Sequence, residues 1–145
     1  MDLSEAITHL NWNSSESKQK EAVDFLSKVD TTTLFGIFHQ LNKSEWKNYI
    51  TVVSKINFPD NLPLLPLILE LLQDINWPGA IEAIDLISAI CSPEVLGLVE
   101  KTILKAYQQK DFMWLGGLRI LNQKLISNGH IISPSASNLL EFADF

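Results

Sequence analysis

The sequence predicts an all-α fold: a right-handed, HEAT-like solenoid of about four stacked helical hairpins, an α-α superhelix. Three observations predict it. Four tryptophans, Trp12, Trp46, Trp77 and Trp114, recur at spacings of 34, 31 and 37 residues. That is the period at which two-helix units stack on copies of themselves. Each lies at or just after a break in the apolar helical pattern. No stretch alternates at period two over a useful length, so no sheet is expected. The connections are short, mostly two to six residues, and short connections between helices make antiparallel neighbours.

The elements follow in order. Asp2-Leu3-Ser4-Glu5 has the form of a capping box and opens a first helix to about Leu10. Asn13 to Ser17 is polar and rich in capping residues, and Ala22, Phe25, Leu26 and Val29 then recur at helical spacing. Asp30-Thr31 caps a third helix through Leu34, Ile37, Phe38 and Leu41. Ser44 is placed to cap a fourth, with Tyr49, Val52, Val53 and Ile56 on one face. Phe58-Pro59-Asp60-Asn61 reads as a turn. A fifth helix starts between Leu62 and Pro66, because proline fits a first turn but not an interior, and ends near Asp74.

Pro78 is placed to open the sixth helix, which runs to about Ile90. Ser92-Pro93-Glu94 is an N-cap followed by proline at the first helical position. Asp111 caps an eighth helix that Asn128-Gly129 stops, and Ser133-Pro134 starts a short last one. Within the eighth, Gly116-Gly117 costs about 1 kcal/mol per glycine against alanine, so another helix is expected to approach closely there. In the sixth, Glu82, Asp85 and Ser88 are expected to form one narrow wet stripe on a buried helix. The second helix looks like a polar terminal cap.

The 145 residues suit one domain, residues 1–145, with one core. Hydrophobic content of 46% with 19% charged residues marks a globular chain. No apolar run reaches the roughly 18 residues that span a bilayer, and the N-terminus has neither the basic nor the apolar region of a secretory signal. With Cys91 the only cysteine, a reducing cytoplasm is the expected compartment. The net charge is −6, with a single arginine, Arg119. A nucleic-acid binder needs a basic footprint, so DNA or RNA binding is disfavoured.

Two stretches carry a resemblance. Leu71-Leu72-Gln73-Asp74-Ile75-Asn76-Trp77-Pro78-Gly79-Ala80 resembles a leucine-pair, Gln-Asp, apolar, Asn-Trp-Pro signature of small uncharacterised bacterial proteins with HEAT-like repeats. Trp12-Asn13, followed by Glu16, Gln19 and Glu21-Ala22, is similar to their N-terminal part. Some of those proteins are taken to be immunity proteins, which neutralise a toxin made by the same cell. The resemblance covers the whole chain and implies a HEAT-like fold. Function follows from it by association alone, and it supplies no active-site pattern.

The residues themselves spell out no catalytic, cofactor or metal site. His9, His39 and His130 form no i, i+3 or i, i+4 pair with each other or with Cys91. His9 and His39 fall at helix ends, where a histidine complements the dipole. Cys91 has no basic residue within nine positions, so an inert thiol is expected. Glycine-rich phosphate loops and nucleophile elbows are absent from the sequence. The tryptophans are expected to wedge between consecutive helices, Trp77 and Trp114 above all.

What remains is charge segregation. Between Ile56 and Val99 there is no lysine or arginine, but there are six acids: Asp60, Glu70, Asp74, Glu82, Asp85 and Glu94. Ordinary surfaces mix both signs. Glu70 and Asp74 are expected to share a face of the fifth helix, and Glu82 and Asp85 to project from the sixth. These four are the candidate partner-binding residues of a non-enzymatic protein-binding module. It would be an immunity-type inhibitor that steers onto a basic, nuclease-like partner and occludes it. The expected state is a monomer or weak dimer without membrane contact.

Two other readings stay open. A glycosylase-like enzyme acting on nucleic acid would gather Lys18, Lys20, Lys47, Lys55 and Arg119 on one concave face. A homo-oligomeric scaffold would expose an apolar patch at Leu139, Leu140 and Phe142.

Overall fold

The computed structural model describes residues 1–144, and among them every regular element is helical. Two compact units divide the chain, Met1–Leu67 and Ile68–Phe145. The division falls inside one short helix, α5 (Leu65–Glu70).

The first unit holds α1 (Leu3–Thr8), α2 (Glu16–Leu26), α3 (Thr31–Ile37) and α4 (Trp46–Ile56). Asp2, Ser15 and Asp30 cap the first three through side-chain oxygens that accept backbone N–H groups three residues on. The cap before α4 differs from expectation. Asn42, not Ser44, closes a capping box with Glu45 around a 3-10 turn at Lys43–Glu45, and α4 begins only at Trp46. The buried carboxylate of Glu45 accepts from the Asn42 N–H at 2.9 Å, so it is spent on the backbone.

In this unit α2 packs against both α1 and α4, and α3 packs on a 3-10 turn at Leu62–Leu64. Leu10, Ala22, Leu26, Leu34, Val52 and Val53 are buried between them. Tyr49 is buried with them and donates its hydroxyl to the Leu34 carbonyl at 2.6 Å. Burial pushes its phenol pKa upward.

The second unit is built on α6 (Ala80–Ala89), α7 (Pro93–Gln108), α8 (Phe112–Ser127) and α9 (Pro134–Leu139), with 3-10 turns at Leu71–Gln73 and Leu140–Phe142. The caps at Ser92, Asp111 and Ser133 stand where the sequence puts them. The stop after α8 does too, with Gly129 at φ 86. Pro78 does not open α6. Gly79 caps it at φ 93, a left-handed conformation that glycine adopts without a Cβ clash, and the helix starts at Ala80.

Helix α8 is the centre of this unit, packing on α6, on α7 and on both 3-10 turns. Its tight spot is Gly117, where a Cβ would lie 2.1 Å from the Leu72 carbonyl oxygen. The expected close approach is therefore made, by the 71–73 turn. Trp114, 2% exposed, donates its indole N–H to the Leu69 carbonyl at 3.0 Å, with the Lys105 ammonium 5.8 Å from its ring centroid. The four tryptophans do not share one role: Trp46 and Trp77 are half-buried, and Trp12 is 50% exposed.

Candidate functional site

The fold rearranges the acidic segment. Glu70 ends α5, and a 3-10 turn intervenes before Asp74, whose backbone is extended. The two carboxylates therefore do not sit one helical turn apart on a shared face. Asp74 builds the turn that follows it. Its Oδ1 accepts the Asn76 N–H and its carbonyl the Trp77 N–H, both at 2.9 Å. Glu70 and Asp74 are both half-buried.

The expected wet stripe of α6 is also displaced. Ser88 is 5% exposed and donates its hydroxyl to the Ile84 carbonyl at 2.7 Å. Glu82 is half-buried, with Oε2 shielded from solvent. The exposed positions are Ile81, Asp85 and Ala89. The reason is angular: at 3.6 residues per turn, Ile81 and Ala89 lie about 40° either side of Asp85, whereas Glu82 and Ser88 lie about 60° away. The solvent window is narrower than the i, i+3, i+6 set needs.

Of the four sequence candidates, Asp85 is thus the one on the open face. Lys124 of α8 reaches it at 2.7 Å, with both side chains about half exposed. Outside the four, Glu94 is exposed in the first turn of α7, its carboxyl held below the usual range by its own backbone N–H and the Ser92 hydroxyl.

Two clefts, one in each unit, went unnoticed in the sequence. The first, of about 340 Å³, lies between α2 and α4 and is lined by Glu16, Gln19, Lys20, Asn48, Thr51 and Lys55 among others. Its polar groups turn to their own chain. The Asn48 amide donates to the Leu10 carbonyl at 2.7 Å and to Gln19 Oε1 at 2.9 Å. The Gln19 amide donates to the Trp12 carbonyl at 3.1 Å and the Ser14 carbonyl at 2.7 Å. Lys55 pairs with Asp24, which holds that carboxyl below its ordinary pKa.

The second cleft, of about 290 Å³, is lined by Arg119, Asn122 and Gln123 of α8, Ser137 of α9, and Leu140 and Glu141. Here the Ser137 hydroxyl donates to the Pro134 carbonyl at 3.2 Å. Asn122 is 8% exposed, and its Oδ1 is shielded from solvent with no hydrogen-bond partner. Leaving such a group unpaired costs about 1–3 kcal/mol. Arg119 and Glu141 face the same cleft, yet among the described residues neither forms an ion pair. The signal for this site was present in the sequence: Leu118, Leu121, Asn122 and Leu125 follow i, i+3, i+4, i+7 spacing, with an amide on the apolar stripe.

Other chemistry is sparse. Among the described residues no group of three or more His, Cys, Asp or Glu gathers to hold a metal ion. His9 Nδ1 sits 3.0 Å from the Ser14 hydroxyl at the end of α1, and His39 packs edge-on against Phe38. Cys91 is half-buried, and burial pushes its thiol pKa up. No helix among the described residues is long and apolar enough to cross a membrane.

Compared with protein-family models, with curated proteins and with solved structures, the chain matches none.

Proposed function

We propose that the chain is a non-enzymatic protein-binding module of the HEAT-like hairpin type, an immunity-type inhibitor that docks a basic partner and occludes it. The observation that carries this reading is the open face of α6. Ile81, 56% exposed, and the Asp85 carboxylate lie side by side there, within a stretch from Ile56 to Val99 that has no lysine or arginine. The unit to which it belongs has nine acidic and five basic residues, a net −4. An apolar residue beside an acid, in a unit of net negative charge, suits a basic surface: charge steers the encounter and the apolar contact holds it. The hairpin reading is supported by α7 and α8, joined by three residues and packed on each other.

The test compares the wild type with an Ile81→Glu, Asp85→Lys variant, both confirmed folded by circular dichroism, as baits for proteins of the native host. A basic protein held by the wild type, released by salt and missed by the variant supports the reading. Identical captures refute the α6 face.

A specific observation also favours self-association. Leu104 and Tyr107 share an exposed face of α7, and the exposed Phe142 ring lies tilted against Tyr107, centroids 5.2 Å apart. The apolar patch expected at Leu139, Leu140 and Phe142 is thus relocated, because Leu140 is buried and Leu139 half-buried. Light scattering after size exclusion decides it: a dimer that Tyr107→Glu dissolves supports the scaffold reading, and a monomer dismisses it. The nucleic-acid reading loses ground, because Lys18 and Lys55 are engaged by Glu21 and Asp24.

A further inference from the structure

We infer that Asn128 is a site of spontaneous deamidation, gated by opening of the turn that closes α8. Asparagine is chemically labile because the backbone nitrogen of the next residue can attack its side-chain amide. Glycine in that next place leaves the attack least hindered, having no Cβ. Of the chain's asparagines, Asn128 is the one followed by glycine. Asn128 and Gly129 are both exposed. Nothing lies within 4 Å of where a Gly129 Cβ would stand, so the space beside it is open. The Asn128 side-chain amide makes no hydrogen bond among the described residues. Asn13 is exposed too, but it precedes Ser14, which carries a side chain beside the attacking nitrogen.

The backbone delays the reaction. Asn128 stands at ψ 6, which turns the Gly129 nitrogen away from the Asn128 side chain. Gly129 donates that N–H to the Ile126 carbonyl at 2.9 Å, and His130 donates to the Leu125 carbonyl at 2.8 Å. Ring closure waits until these bonds open. Helix ends open at little cost, and Gly129 leaves its φ of 86 without side-chain strain. In the open turn the Gly129 nitrogen gives its proton to hydroxide and attacks Cγ of Asn128. The N–Cγ bond forms and the Cγ–Nδ2 bond breaks. Nδ2 takes a proton from water and leaves as ammonia. Water then opens the cyclic imide. Breaking the new N–Cγ bond yields aspartate, and breaking the original main-chain bond yields isoaspartate, with the chain routed through Cγ. Either product adds one negative charge to a unit at net −4. The charge sits at the C-terminal end of α8, where the helix dipole disfavours it. The reaction is independent of the α6 face and of any partner.

The test holds the full folded chain in mildly alkaline buffer beside the same chain in guanidinium chloride. Ion exchange follows the acidic species, and peptide mass mapping separates aspartate from isoaspartate. Conversion at Asn128 is expected in both samples, with isoaspartate the larger product, and about tenfold more slowly in the folded chain. The acidic species should be absent from Asn128→Ser. Four results would overturn the proposal: no conversion in the folded chain while the denatured chain converts, equal rates in the two samples, first conversion at Asn13 or another asparagine, or an acidic species that persists in Asn128→Ser.

Discussion

Asn48 and Asn122 are both asparagines inside helices, both facing clefts, and they stand in opposite conditions. Asn48 ties the carbonyl of Leu10 and the side chain of Gln19 to α4. Asn122 is the more deeply buried of the two, and its Oδ1 is tied to nothing. An amide of the first kind stabilises the fold because its desolvation is offset by bonds it alone can make. An amide of the second kind costs stability, because its desolvation is offset by no bond. A polar residue on an apolar stripe can therefore stabilise the fold or burden it. Its neighbours in space, not its place in the sequence, decide which.

The contrast can be broken at several points. The largest effect is expected on the side of α8 that meets the 71–73 turn: Gly117→Ala forces a Cβ onto the Leu72 carbonyl and should cost about 3 kcal/mol in urea unfolding. If it unfolds like the wild type, α8 is not held against the 71–73 turn as described. Next comes the first cleft. Asn48→Leu removes two hydrogen bonds and strands the Leu10 carbonyl, for an expected loss of about 2 kcal/mol. Full stability in that variant would show the bonds are replaced by water.

Exposed electrostatics should matter least. Lys124→Ala breaks a half-exposed ion pair with Asp85 and should change stability by less than about 1 kcal/mol. The same change should sharpen partner capture by freeing an acid on the α6 face. Asp24 tests the closed cleft by pH. Hydrogen bonding to Lys55 lowers its carboxyl pKa below 3.8, so its contribution is present above that value and is lost as pH falls through the depressed one. A carboxyl titration by NMR should show the low midpoint, and Lys55→Ala should return it toward the ordinary value.

How much of this was legible follows from range. The caps at Asp2, Asp30, Ser92, Asp111 and Ser133 are read correctly because each is settled within three residues. The box at Asn42 to Glu45 was equally local and follows the same rule, but the neighbouring Ser44 competes for the cap. The tryptophan spacing marks helix ends and says nothing of burial, which is why Trp114 and Trp12 differ so widely. Charge segregation was visible, but Lys124 lies 39 residues from Asp85 and only the fold brings it there. The second cleft needed α8, α9 and the 140–142 turn to meet, and one odd amide in the α8 pattern was its only trace.

The most direct test of the contrast is the unfolding free energy of Asn122→Leu beside Asn48→Leu. Opposite signs are predicted: loss for Asn48→Leu, and an unchanged or increased stability for Asn122→Leu, since an unpaired buried amide gives way to an apolar side chain of similar shape. A loss of more than about 1 kcal/mol for Asn122→Leu would contradict the account, because it would mean that Asn122 already has its partner within the chain.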